Sequence, residues 1–248
     1  MNKRILQSMG FTSKTDLKSN SVNSWRRQPA PFTYERKEGE TLVFNLLLVD
    51  ASGSMSPVRM ETLDGLNSNI ENIKEIAEKN PEQRHFITIV AFDSDEYRVI
   101  VENMEAEKVS EVRKKDYCPN ACTPLYDAMG KMISDLRPIV ADTDKVVMTV
   151  LTDGYENSSR EFSSKHIADL VDLLKKQGWL FTYIGANQDV EEVAKDISIN
   201  AYMSYSSDSE GTTAAFGDLN MARTRHFCKM VHEPGLSIEE QEDDFFAK

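Results

Sequence analysis

Three short segments of this chain concentrate side chains that could do chemistry, and what they offer in common is oxygen. Asp50-Ala51-Ser52-Gly53-Ser54 places one carboxylate and two hydroxyls at alternate positions. Cys122-Thr123-Pro124-Leu125-Tyr126 brings the Thr123 hydroxyl, and Leu151-Thr152-Asp153-Gly154 brings a second carboxylate. Carboxylates and hydroxyls are hard donors, suited to Mg2+ or Mn2+ rather than to a soft metal. Gly53 is expected to let the backbone turn tightly, so that Ser52 and Ser54 face one point. Alone, Asp-x-Ser-x-Ser is ordinary turn and capping composition, and Ser54 or Ser56 reads equally as a helix cap. The three segments together say more, because each adjoins the kind of element that such a site requires.

Those elements alternate. Leu42–Val49 is an apolar run of strand length, followed by a turn over Asp50–Pro57. Leu63, Leu66, Ile70, Ile73 and Ala77 recur at spacings of 3, 4, 3 and 4 and form one apolar helix face, stopped by Asn80-Pro81. Phe86–Phe92 and Tyr97–Val101 read as a strand hairpin at a sheet edge. Leu125, Met129, Met132, Ile133 and Leu136 make a second helix face, with the methionines as core. Strands are predicted over Lys145–Thr152, Trp179–Ile184 and Ala201–Tyr205, and helices over Ile167–Leu174, Val190–Ile197 and Thr212–Phe227. This alternation predicts an α/β domain, doubly wound around a mostly parallel sheet with helices on both faces. Ligands of such sheets bind at the carboxyl ends of strands where strand order reverses, which is where the oxygen-rich loops fall.

With its flanking text (Leu48-Val49-Asp50-Ala51-Ser52-Gly53-Ser54-Met55, Thr123-Pro124-Leu125-Tyr126, Leu151-Thr152-Asp153-Gly154), the set resembles the von Willebrand factor A domain family. That family's metal-ion-dependent adhesion site combines Asp-x-Ser-x-Ser with a distant Thr and a distant Asp. The matching positions are Asp50, Ser52, Ser54, Thr123 and Asp153, and none departs from the pattern. The resemblance covers about residues 41–227 and implies a six-stranded sheet with one antiparallel edge strand. It also implies that Ser52, Ser54 and Thr123 bind the metal directly when a partner is engaged, with Asp50 and Asp153 acting largely through water. Neutral hydroxyl ligands leave the cation's charge poorly neutralised, so it retains affinity for an Asp or Glu on a partner protein. Cytoplasmic proteins resembling this family often serve as adaptors for ATPases, metal-insertion or stress systems.

An enzyme is the leading alternative. Asp50 at a strand end resembles the nucleophile of haloacid-dehalogenase-type, Mg2+-dependent phosphatases, but those need a second acid two residues on, where this chain has Ser52. Neither Ser52 nor Ser54 stands in Gly-x-Ser-x-Gly, and no Gly-rich phosphate loop is present. The expectation is a binding module without catalytic residues. Cys118 and Cys122 could join His226 and Cys228 around zinc or form a redox disulfide, but Cys-x3-Cys is looser than zinc spacing and thiols in a loop are the simpler reading.

Composition agrees with one intracellular domain. The chain has 248 residues, 40% of them apolar, and a net charge of −12, which disfavours nucleic acid as the main partner. An odd three cysteines, no secretory leader and no run approaching ~18 apolar residues point to the cytoplasm, with neither disulfides nor a membrane span. Residues 1–40 form an N-terminal arm whose eight Lys and Arg outnumber its four Asp and Glu. Residues 41–230 form the metal-binding domain. Residues 231–248 form an acidic tail, read as frayed or, more sharply, as a docking peptide for another protein; in a third reading the arm or tail, not the metal site, carries the binding. Nothing in the sequence sets the oligomeric state.

Overall fold

Ten consecutive residues form β1 (Thr41–Asp50), and nine of them are buried, a condition that only a central strand covered on both faces satisfies. The computed structural model describes residues 24–232 and 235–247. Its sheet has the order β3-β2-β1-β4-β5-β6, where β2 is Gln83–Phe92, β3 Tyr97–Glu105, β4 Lys145–Thr152, β5 Trp179–Gly185 and β6 Ala201–Ser204. Only β3 runs antiparallel, paired to β2; the other neighbours are parallel. The six-stranded, doubly wound architecture with one antiparallel edge is the expected one. β3 runs on to Glu105, beyond the expected Val101, with register shifts against β2 near Ile87 and Ile89.

Side-chain alternation along β1 builds two cores. Val43, Leu47 and Val49 face α1 (Arg59–Lys79), α5 (Ser209–His232) and α6 (Ile238–Phe245). Leu42, Phe44, Leu46 and Leu48 face α2 (Leu125–Leu136), α3 (Ser164–Lys175) and α4 (Val190–Asp196). The first core contains a polar seam. His85 lies between Asn45 Nδ2 (3.3 Å) and Gln83 Oε1 (3.2 Å), and the fully buried Arg223 donates to Asn69 and Thr149.

Both flanking segments pack on this frame. From residue 24 the basic arm lies across the second core: Trp25 against Tyr97, Phe32 against Phe44 and Phe86, Tyr34 against Phe86. Arg27 pairs with Glu102, and Arg36 with the buried Asp144 at 2.5 Å. The arm's first 23 residues lie outside the described ones. The acidic tail is not frayed over Ile238–Phe245: α6 opens with a capping box between Ser237 and Glu240, buries Phe245 against His226, and joins Glu242 to Lys175 at 2.8 Å. Among the described residues no helix is long and apolar enough to cross a membrane.

Candidate metal centre

Sheet order reverses between β1 and β4, so a crevice opens beyond their carboxyl ends. Asp50 is the last residue of β1, and Asp153 follows the last residue of β4. The loop after β1 is stapled on two sides. Ala51 N donates to Phe92 O (2.8 Å), extending the ladder to β2. Ala51 O accepts from Asn120 N (2.7 Å), and Gly53 N donates to Ala121 O (3.1 Å), which joins this loop to the one bearing Thr123.

The chain leaves the loop through a 3-10 helix, Gly53–Val58, and this tight coil brings the two serines together. Gly53 is not in a left-handed conformation, and a Cβ there would meet Ala121 O at an ordinary 3.6 Å; the turn therefore does not depend on glycine as expected. The capping reading of the serines also fails. Ser52 occupies the N-cap of the 3-10 helix without a side-chain cap bond, and Val58 stands at the N-cap of α1.

The hydroxyls instead form a bonded series across the crevice. Ser52 Oγ lies 3.1 Å from Ser54 Oγ, and Ser54 Oγ donates to Asp153 Oδ1 at 2.5 Å. Asp50 is fully buried, its Oδ1 accepting from Ser52 N (2.7 Å) and its Oδ2 from Thr152 Oγ1 (2.6 Å). Burial pushes the Asp50 carboxyl up to about 6 against those two stabilising bonds, with the like charge of Asp153 adding to the rise. Thr123, 3% exposed, is held by its backbone: its N donates to Asn157 Oδ1 (2.9 Å), and its O accepts from Asn157 N (3.1 Å). Ser54 is exposed, so the crevice opens to solvent beside it. The structure thus brings Ser52, Ser54 and Asp153 into a hydrogen-bonded row with Asp50 beside it, and ties the Thr123 loop to the same turn through Gly53.

Four further residues position this set and were not legible as site residues. Thr152 holds Asp50, Asn157 holds Thr123, Ser207 Oγ donates to Asp153 Oδ2 (3.2 Å), and the Tyr117 hydroxyl donates to Asp50 O (2.7 Å). Burial pushes the Tyr117 phenol well up, so it remains a donor. Among the described residues no three of His, Cys, Asp and Glu gather at a metal-holding spacing, which removes the zinc reading of Cys118, Cys122, His226 and Cys228. Cys118 Sγ turns back to Lys114 O and Lys115 O, while His226 is enclosed by Phe227 and Phe245.

Compared by sequence, the chain matches no family model and no curated protein. Compared by fold, it is similar to the pilus adhesin SpaC from Lactobacillus rhamnosus GG in its open conformation (TM-score 0.57, 14% identity, 77% of this chain and 31% of that one). It is also similar to a point mutant of the PilB minor pilin from Streptococcus sanguinis (TM-score 0.51, 13% identity, 80% and 65%). The SpRpn10 VWA domain aligns over 69% of this chain and 92% of its own length, at 10% identity and a TM-score of 0.48. The chain spans less than two thirds of the length of the pilin and the adhesin, and at these identities the likeness is one of fold alone.

Proposed function

We propose that this chain is a cytoplasmic protein-interaction module of the von Willebrand factor A type. In this reading Asp50, Ser52, Ser54, Thr123 and Asp153 hold one Mg2+ or Mn2+ ion for an Asp or Glu of a partner protein. The observation that carries it is the row Ser52–Ser54–Asp153, set beside the buried Asp50 at the reversal of strand order. Every donor is a hard oxygen, the class that Mg2+ and Mn2+ take. Two carboxylates share the crevice, and the charge of Asp153 raises the cost of ionising Asp50. When bound, a dication would offset that repulsion and offer an open coordination position to a partner's carboxylate oxygen. The residues' own work is to hold the hydroxyls in place and to keep one side, at Ser54, open to the partner. Exposed thiols at Cys118, Cys122 and Cys228 suit a reducing compartment.

Asp50 lends no support to the hydrolase alternative. Its carboxylate is 0% exposed with both oxygens engaged, and no acid stands two residues on. Titration of the purified protein with Mn2+ tests the reading. The wild type is expected to bind one ion, and Ser52→Ala and Thr123→Ala to bind at least ~10-fold more weakly. Their melting in EDTA should be little changed, because Thr123 is held through its backbone and Ser52 Oγ faces the hydroxyl of the exposed Ser54. A wild type without uptake, or a Thr123→Ala protein with wild-type affinity, overturns it. Turnover of a generic phosphate ester with Mg2+, lost in Asp50→Asn, would restore the enzyme reading.

A further inference from the structure

The segment that leads from β6 into α5 runs beside the crevice and touches the end of β5, the 3-10 turn, α1 and Asp153. Tyr205 N donates to Gly185 O (2.9 Å) at the end of β5. The Tyr205 hydroxyl reaches Met55 Sδ (4.0 Å), inside the 3-10 turn that carries Ser54. Ser209 Oγ donates to Glu61 Oε1 (2.7 Å) in the first turn of α1. Between these anchors Ser207 Oγ donates to Asp153 Oδ2 at 3.2 Å. Asp153 is only 2% exposed, so bulk water is a poor substitute for a missing donor. Its two oxygens are divided between hydroxyls of opposite origin: Oδ1 takes the proton of Ser54, and Oδ2 that of Ser207.

We infer that Ser207 is a positioning residue of the metal centre: by engaging Oδ2 it fixes the rotation of the Asp153 carboxylate and keeps Oδ1 turned toward Ser54 and the cation. The inference rests on the metal-binding reading above and adds a residue that the motif does not contain. A carboxylate held at one oxygen turns about its last side-chain bond, a broad and soft torsion. Its charge is then spread over orientations that do not face the site. Groups that orient metal-binding residues in this way typically change affinity by ~10–100-fold when removed. Ser206, the next residue, supplies the control: its hydroxyl is exposed and donates to Asp208 Oδ2 (2.5 Å), away from Asp153.

The test is Mn2+ affinity of the full chain, measured by calorimetry on wild type, Ser207→Ala, Ser207→Thr and Ser206→Ala, with melting of each in EDTA. Ser207→Ala is expected to bind at least ~10-fold more weakly, with melting in EDTA lowered only by the loss of one donor to Asp153 Oδ2. Ser207→Thr, which restores the hydroxyl, is expected to recover most of the affinity, and Ser206→Ala to match the wild type. A merely structural loop residue would lower melting and leave the affinity of the folded fraction intact. A wild type that binds while Ser207→Ala binds equally well overturns the role of Ser207 and leaves the metal centre standing. So does Ser207→Thr binding no better than Ser207→Ala. A wild type that takes up no Mn2+ overturns the metal reading and this inference with it.

Discussion

A serine that donates a proton and is also proposed to bind a cation must divide its oxygen between the two tasks, as Ser54 would. Its hydrogen goes to Asp153 Oδ1 at 2.5 Å and one lone pair accepts from Ser52 Oγ at 3.1 Å, which leaves the other for the open side of the crevice. The same economy holds at Asp50, whose two oxygens accept from Ser52 N and Thr152 Oγ1 and so tolerate full burial. Thr152 is therefore the residue whose loss should be felt most directly. Thr152→Val keeps the β-branched shape that suits a strand and removes only the hydroxyl, leaving one oxygen of a buried carboxylate without its donor. The expected cost is ~1–3 kcal/mol in the metal-free protein, measured by denaturant unfolding in EDTA; an unchanged midpoint would mean that water or a shifted Asp50 replaces the bond. The five candidate ligands could be read from the sequence because they sit in contiguous, ordered motifs. Their holders could not. Thr152, Asn157 and Ser207 meet Asp50, Thr123 and Asp153 across 102, 34 and 54 residues of chain, and single hydroxyls and amides carry no periodicity that would single them out.

At the scale of elements, apolar periodicity did most of the work, and its failures have physical causes. The face Leu63, Leu66, Ile70, Ile73 was legible because the core it enters is continuous. α6 was not, because Glu239, Glu240, Glu242, Asp243 and Asp244 hide a single buried Phe245. The one sequence signal it has is local: Ser237 followed three residues later by Glu240, the capping pair that the structure closes on both sides. Helix packing also depends on a residue that periodicity cannot weigh. Gly65 of α1 sits under the ring of Phe216 in α5, and a Cβ added there would lie 2.1 Å from Phe216 Cδ2. Helix propensity alone makes Gly65→Ala stabilising by ~1 kcal/mol, whereas overpacking costs ~1–3 kcal/mol. Packing should win, because both positions are buried and the clash is with a ring held by the core. Gly65→Ala is expected to lower the unfolding midpoint, and Gly65→Ala/Phe216→Leu to recover part of the loss, with the non-additivity of residues in contact. A Gly65→Ala protein more stable than the wild type would show that the ring yields freely.

For the whole molecule the pH dependence of stability is set by groups that folding removes from water. Two are histidines on the α5 side of the sheet. His85 Nδ1 faces the amide donor of Asn45 and so accepts, which puts the proton on Nε2 toward Gln83 Oε1; this is a neutral ring. His226 lies against the rings of Phe227 and Phe245. Burial, reinforced by the charge of Arg223, lowers each to about 4 from an ordinary 6.5. The unfolded chain therefore binds more protons than the folded one between those values. Each histidine's contribution is complete above pH 6.5 and is lost as pH falls toward 4, at most ~3 kcal/mol apiece. Asp50 acts oppositely. Raised from 3.8 to about 6, it costs stability at neutral pH and returns it as pH falls through that interval. Burial raises Asp93, Asp135 and Glu242 as well, while hydrogen bonds hold Glu40, Glu102 and Asp116 down against it. Among the largest shifts, two depressed imidazoles outweigh Asp50, so the metal-free protein is expected to lose a few kcal/mol between pH 7 and pH 4. Denaturant midpoints across that range in EDTA measure it. His226→Phe, which extends the ring cluster and carries no proton, should remove most of this slope, because the remaining histidine and Asp50 nearly offset each other; a slope equal to that of the wild type would mean that His226 takes up its proton as readily folded as unfolded, or that other carboxylates set the acid limb.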